Sequence, residues 1–268
     1  MNKEFNYQGE RFADIQMLRY NLPGFENLSL NQKKYIYYLA ESTLWGRDIT
    51  FDQFGKYNLT IRRTLETVFQ ANKETDKSED FKHLTEYLKR VWFSNGIYHH
   101  YGCEKFSPDF SQSYFEKTVT ETFDRLGIAG AKETLSKICP VMFDPNILPK
   151  RVNKADGVDL VTSSACNFYD GVTQQEVEDF YSALASSDDP EPPSYGLNST
   201  LCKDKDGKIS EVVWKIGGKY SAIIECIVDN LKKAAEFAEN DQQRLVIRLL
   251  TKYYSTGDLR TFDRYSIE

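Results

Sequence analysis

Histidine is scarce in this 268-residue sequence: there are three, His83, His99 and His100. None is followed by a glutamate, so HExxH cannot be drawn, the pattern in which two histidines one helical turn apart bind zinc and the glutamate serves as base. His99 and His100 are adjacent, which on a helix turns them about 100° apart and on a strand to opposite faces. Neither geometry suits one metal ion. Cysteine is thin as well. The five residues Cys103, Cys139, Cys166, Cys202 and Cys226 are spread out with no CxxC pair, so neither a disulfide framework nor a cysteine zinc site is indicated. They read as ordinary buried thiols. No catalytic residue, metal ligand or cofactor site is therefore expected in this chain. No apolar run approaches the roughly 20 residues that span a bilayer. The opening MNKEFNYQGERFAD lacks a signal-type apolar stretch, which leaves the cytoplasm as the default compartment. A net charge of −6 disfavours nucleic acid, because phosphate binding needs a basic face.

What is present is globular: 40% hydrophobic and 28% charged residues, with 17 Tyr and 17 Phe to fill cores and clefts. Residues 29–140 read as mostly helical. A capping box at Ser29 and Gln32 heads a helix with Ile36, Leu39, Ala40, Thr43 and Leu44 at helical spacing, and Gly46 is its expected stop. Further helices are predicted after Asn58 (Ile61, Leu65, Val68, Phe69), near Ser78 (Phe81, Leu84, Leu88, Val91, Trp92) and at Ser111 (Phe115, Val119, Phe123). Val141–Gly157 reads as loop and Val158–Thr162 as a short strand. Thr173 and Glu176 head another helix with Val177, Phe180, Tyr181 and Leu184. Ser186–Ser194, SSDDPEPPS, is an exposed linker, since its prolines and charges suit neither helix nor central strand.

Beyond it, Tyr195–Lys203 and Ile209–Ile216 form a hairpin turning at the Asp204–Lys208 stretch, and helices follow over Ser221–Glu239 and Asp241–Tyr254, the latter stopping at Gly257. Asp258 can cap one more. Asp204-Lys205-Asp206-Gly207 is a turn, not a calcium loop: the EF-hand register would put Cys202 and Val213 at ligand positions. Arg47, Asp48, Arg62 and Arg63 read as solvated charges or internal ion pairs. The expected fold is α+β, a mostly helical layer packed around a small antiparallel β element. Residues 1–187 form its helix-rich part, 188–194 a linker loop, and 195–268 the hairpin with the C-terminal helices.

The run Ser94-Asn95-Gly96-Ile97-Tyr98-His99-His100-Tyr101-Gly102 crowds rings and amides between two glycines, which suits a cleft wall where the backbone can approach a ligand. VWFSNGIYHHYGCEKFSPDFS (Val91 to Ser111) resembles the N-terminal lobe of dipeptidyl peptidase III, a zinc exopeptidase that removes dipeptides from peptide N-termini. So do FADIQMLRYNLPGFENLSLNQKKYIYYLAESTLWGRDI (Phe12 to Ile49), in the style of bacterial members, YGLNSTLCKDKDGKISEVVWKIGGKYSAIIECIVDNLKKAAEFAEN (Tyr195 to Asn240) and LLTKYYSTGDLRTFDRYSIE (Leu249 to Glu268). The resemblance implies the non-catalytic lobe of such an enzyme, one wall of its substrate cleft. The family's HExxGH and EExxA motifs, which hold the zinc and the glutamate that activates water, lie downstream of this lobe in a longer chain. The implied partners are an oligopeptide and the catalytic lobe, and the chain alone is expected to be inactive. By the same resemblance Tyr101, with Gly102, matches an aromatic beside a glycine that lines the pocket for the peptide's N-terminal part. A free-standing helical module for binding protein or peptide is the alternative.

Overall fold

Serine, threonine, asparagine and aspartate caps set most of the helix starts. In the computed structural model, which describes residues 5–184 and 189–268, the chain opens on strands β1 (Gln8–Phe12) and β2 (Ile15–Leu18). Helices α1 (Leu30–Trp45), α2 (Arg47–Phe54), α3 (Asn58–Asn72), α4 (Glu79–Ser94), α5 (Gln112–Leu126) and α6 (Ala131–Phe143) follow. Then come β3 (Tyr169–Asp170), α7 (Gln174–Leu184), β4 (Ser199–Lys203), β5 (Ile209–Val213), α8 (Ser221–Glu236), α9 (Asp241–Thr256) and α10 (Leu259–Ile267). Ser29, Ser78, Ser111, Asn240 and Asp258 each accept a backbone N–H at a helix start, and the boxes Ser29/Gln32 and Thr173/Glu176 both close. The fold is α+β and dominated by helix, as expected.

The residues fall into two compact units, each built from two stretches of chain. The first takes the residues up to Leu28 together with Tyr57–Pro149. Here α3 packs on α4, α5 and α6, and α5 on α6. Their buried faces follow the predicted stripes: Ile61, Leu65 and Val68 from α3, Leu84, Leu88 and Val91 from α4, and Phe115 and Val119 from α5. Phe115 lies 5.7 Å from the Phe110 ring and 6.0 Å from Phe143. The antiparallel β1–β2 hairpin, which the sequence reading did not foresee, is tied to α4 by Lys89–Glu10 and by Arg90–Asp14 at 3.0 Å.

The second unit takes Ser29–Lys56 with Lys150–Glu268. Helix α1 packs on α8, α8 on α9, and α9 on α10, around Ile227, Leu231 and Ile247. A mixed sheet in the order β3-β4-β5 covers a second cluster of Val172, Val177 and Leu201. The β4–β5 hairpin is antiparallel and in register from Ser199↔Val213 to Lys203↔Ile209, shorter than predicted because residues 195–198 turn instead.

Gly46 ends α1 as expected, although its φ is −70° and α2 begins at the next residue. Other expectations need correction. Of the predicted side of α1, Leu39 turns inward while Ile36, Ala40, Thr43 and Leu44 are exposed; Tyr35 and Ser42 join Leu39 instead, because apolar residues from Tyr35 to Leu39 surround the helix and periodicity selects no face. Trp92 is 40% exposed, one residue past the stripe that ends at Val91, and donates from its indole to Glu66 at 2.8 Å. Helix α6 runs through Pro140 to Phe143, with Val141 and Met142 buried, so the loop begins later than predicted. Pro140 has no N–H to give the Ser136 carbonyl and crowds it, a cost set against the burial of Ile138, Cys139, Val141 and Met142 around it. Val158–Thr162 is a turn, not a strand: the Asp159 carboxylate accepts from the N–H groups of Val161, Thr162 and Gln174 and curls the backbone. Ser186 to Asp188 of the expected linker lie outside the described residues.

One half-buried pair in the first unit makes its stability depend on pH. Asp76 accepts from the Tyr114 hydroxyl at 2.6 Å and from the Ser78 N–H at 2.9 Å. Burial opposes ionisation of Asp76, but these hydrogen bonds outweigh it and hold the carboxyl below its usual value. Burial, then Asp76 itself, push the Tyr114 hydroxyl up to about 12. A depressed carboxyl contributes stability above its unfolded value near about 4, which is lost as the pH falls through the folded value. A raised tyrosine contributes stability below about 10, which is lost as the pH climbs towards its folded value. In Tyr114→Phe the alkaline loss is expected to shrink, leaving the part due to the buried Tyr87, and the acid loss to shrink as well. Urea midpoints measured across pH test this, and an unchanged profile would count against the pair.

Candidate functional site

Tyr101 and Gly102 stand at the tip of a short hairpin in the first unit. Helix α4 ends where Asn95 takes the left-handed conformation at φ 55°. Gly96 follows at φ 150°, and a side chain there would collide with the buried Asn58 amide, so glycine is required at this exit. The Asn58 carbonyl oxygen in turn accepts the Ile97 N–H at 3.3 Å. The chain then folds back on itself. Tyr98 bridges Lys105, the Phe106 N–H donates to Ile97 O at 2.8 Å, and the His99 N–H donates to Glu104 O at 2.7 Å.

The base of this hairpin is heavily anchored. The buried Tyr98 donates its hydroxyl to Leu148 O at 3.0 Å. The Lys105 ammonium donates to three carbonyls past the end of α6 or within its last turn, Val141 at 2.9 Å, Asp144 at 2.6 Å and Ile147 at 2.6 Å. Burial lowers the pKa of Lys105, partly offset by Asp144.

The tip is ordered by an imidazole. His99 Nδ1 accepts the backbone N–H groups of both Tyr101, at 3.2 Å, and Gly102, at 3.1 Å. The Cys103 N–H donates to His99 O at 3.1 Å, and Cys103 itself is left-handed at φ 64°. The His99 and His100 rings stack 4.5 Å apart, His100 meets Phe93 edge-on at 5.0 Å, and its ring centre lies 4.6 Å from that of Tyr101. Tyr101 is 85% exposed. The histidine pair is thus neither a chelate nor packing alone; one of its nitrogens shapes the backbone. Among the described residues no group of three or more His, Cys, Asp or Glu could hold a metal, so the residues here do not fit a zinc site and no step through zinc is assigned to them.

The second unit holds a concave site that the sequence reading missed. A cavity of about 500 Å³ is lined chiefly by the rings of Phe168, Trp214, Tyr220, Tyr253, Tyr254 and Phe262. Behind it lies a polar network centred on Asp52 of α2. That carboxylate accepts from the Tyr220 hydroxyl at 2.5 Å and the Asn167 amide at 3.2 Å, with the Lys219 ammonium 3.6 Å away. Lys219 and the Trp214 indole both donate to Thr200 Oγ1, at 3.1 and 3.0 Å. Burial, then Asp52, push the Tyr220 hydroxyl up from its ordinary value, so it stays a donor. The segment from Trp214 to Tyr220, two rings around a Gly-Gly pair after a strand, was the signal available in the sequence.

Taken unit by unit, the chain is a helix-dominated α+β protein with an anchored aromatic hairpin and a ring-lined cavity, and among the described residues no helix is long and apolar enough to cross a membrane. Residues 157–268 match the model of peptidase family M49. None of the curated proteins matches the sequence. Among solved structures, dipeptidyl peptidase III from Caldithrix abyssi is similar with a TM-score of 0.51 and 17% identity, over 87% of this chain and 32% of that one. The dipeptidyl peptidase III of Corallococcus sp. strain EGB is similar with a TM-score of 0.56 and 15% identity, over 92% of this chain and 34% of that one. The resemblance to the dipeptidyl peptidase III family is borne out, and this chain spans about a third of the length of those two structures.

Proposed function

We propose that this chain is the substrate-cleft lobe of a dipeptidyl peptidase III-like zinc exopeptidase, one that positions an extended oligopeptide whose N-terminal dipeptide is released elsewhere in the enzyme. The observation that carries this reading is the family match over residues 157–268. The share of the two solved enzymes that the chain covers, about a third of each, supports a lobe rather than a whole enzyme. Zinc and the activating glutamate belong to the parent enzyme in this reading, and the lobe contributes orientation of the peptide. Tyr101 and Gly102 are the proposed contact residues. An almost fully exposed ring on a hairpin with a rigid base offers contact area at little entropic cost, since the backbone beneath it is already fixed.

Titration of the isotope-labelled chain with an unblocked tetrapeptide tests this. Amide shifts are expected to move at Tyr101 and Gly102, the chain alone should release no dipeptide, and Tyr101→Ala should abolish the shifts. Because Tyr101 is exposed, the same substitution should change folding stability by no more than about 0.5 kcal/mol. Peptide binding indifferent to Tyr101 would remove the residue from the site. Dipeptide release by the chain itself would refute the lobe assignment.

A further inference from the structure

An aromatic ring offered to a ligand is useful only if its backbone holds still, and at this tip the holding atom is one that can take up a proton. His99 Nδ1 accepts two backbone N–H groups, those of Tyr101 at 3.2 Å and Gly102 at 3.1 Å. A nitrogen that accepts must present its lone pair, so the neutral ring carries its hydrogen on Nε2 and the charged ring cannot make these bonds at all. We infer that His99 is the positioning residue of the Tyr101–Gly102 turn, and that proton uptake at its Nδ1 releases that turn.

The surroundings supply a second state as well as the first. Glu104 Oε1 lies 3.8 Å from His99 Nδ1, outside hydrogen-bond range in the present arrangement and within reach of an ion pair once Nδ1 bears a proton. Opposing it, the His100 ring stacks on His99 at 4.5 Å, and two cationic imidazoles at that distance repel. Phe106 faces His99 edge-on at 6.1 Å, and on α4 the Arg90 guanidinium sits 5.4 Å from the Phe106 ring while pairing with Asp14. The other ties of the turn include the Cys103 N–H to His99 O, the Cys103 thiol 3.6 Å from Tyr101 O, and the His100 ring against Tyr101 and Phe93; none of these uses the His99 Nδ1 lone pair. The hairpin base, by contrast, is held by Tyr98, Lys105 and Asn58, none of which depends on His99. Protonation therefore frees the tip and leaves the base in place, so Tyr101 loses its fixed presentation while the unit stays folded. The bearing of this on peptide capture rests on the proposed role of Tyr101; the turn itself does not.

The test is made on the whole chain without peptide, which separates it from the binding reading. Nitrogen-15 spectra of the histidine rings should show His99 as the Nε2–H form at neutral pH. As His99 titrates, the Tyr101 and Gly102 amides should lose about tenfold in protection from solvent exchange, corrected for intrinsic rate, the scale of one modest hydrogen bond. Amides of Ile97 and Phe106 at the base, bonded to the Asn58 side chain and to Ile97 O, should keep theirs. His99→Asn, whose side-chain oxygen can accept the same N–H groups and does not titrate, should retain protection at both pH values. His99→Phe, which keeps the ring contacts without an acceptor, should lose it at both. An Nδ1–H tautomer at neutral pH would overturn the inference on the unaltered chain, whatever the variants do. So would turn amides indifferent to the titration of His99. If these results hold and the unblocked tetrapeptide still ignores Tyr101, the lock stands and the peptide reading falls.

Discussion

Phe115→Ala is expected to lower the unfolding free energy of the first unit by about 3–5 kcal/mol, among the larger single losses this chain can show. Phe115 is fully buried on α5, between Phe110 and Phe143, and α5 packs on α6 and on α3, which buries Ile61 and Leu65. Removing the ring takes away its transfer free energy and leaves a hole that the packed helices can only partly close. The urea midpoint should fall with little change in slope, because the surface exposed on unfolding is nearly the same. A loss below about 1 kcal/mol would mean that the helices collapse onto the gap, and that this core is far looser than its burial suggests.

The second large effect is expected at Asp52. Asp52→Ala removes the acceptor of the Tyr220 hydroxyl and of the Asn167 amide and leaves Lys219 without its carboxylate, so three groups lose a partner at once. With the Asp52 side chain 22% exposed, water can reach part of the gap, which places the cost at about 2–3 kcal/mol rather than at the full value for a wholly buried pair. Asp52→Asn keeps one acceptor oxygen for Tyr220 and should lose about half as much. Trp214 reports the event directly, since its ring lies 5.9 Å from Tyr220 in the cavity wall and its indole shares Thr200 with Lys219. Trp214 fluorescence unchanged in Asp52→Ala would show that the network does not order the wall.

The caps were the most legible part of the chain, because a cap is a local agreement between one side chain and the next turn of backbone. Ser29 with Gln32, Thr173 with Glu176, Ser78, Ser111 and Asp258 all act where the sequence places them. Faces were legible only where apolar residues were sparse enough to form a single stripe, as on α3 and α5, and not on α1, where rings point all round. The strand expected at Val158–Thr162 failed because one carboxylate, Asp159, offered the backbone three acceptor contacts that a short strand could not match. Exposure of Tyr101 followed from the end of the α4 stripe and from the number of polar rings crowded after it. The His99 lock did not, because nothing in the letters shows which ring nitrogen meets which N–H. Nor could the cavity be read: Asp52 and Tyr220 are joined by 2.5 Å in space and by most of the chain in sequence.

Each compact unit is assembled from two separated stretches, and this sets the order of events during synthesis. Helix α1 leaves the ribosome early, yet the surface it packs against belongs to α8. Everything in the first unit from Tyr57 to Pro149 is made in between, and at about 5–20 residues per second the wait for Ser221–Glu236 is on the order of ten seconds or more. Throughout that interval the rings of Tyr35, Tyr38 and Leu39's neighbours on α1 have no α8 to cover them, while the intervening unit can already collapse around Phe115. The nascent chain thus carries a sticky helix ahead of a finished domain, which makes α1 the segment a chaperone would be expected to hold, and the one whose early aggregation would cost the cell the whole polypeptide.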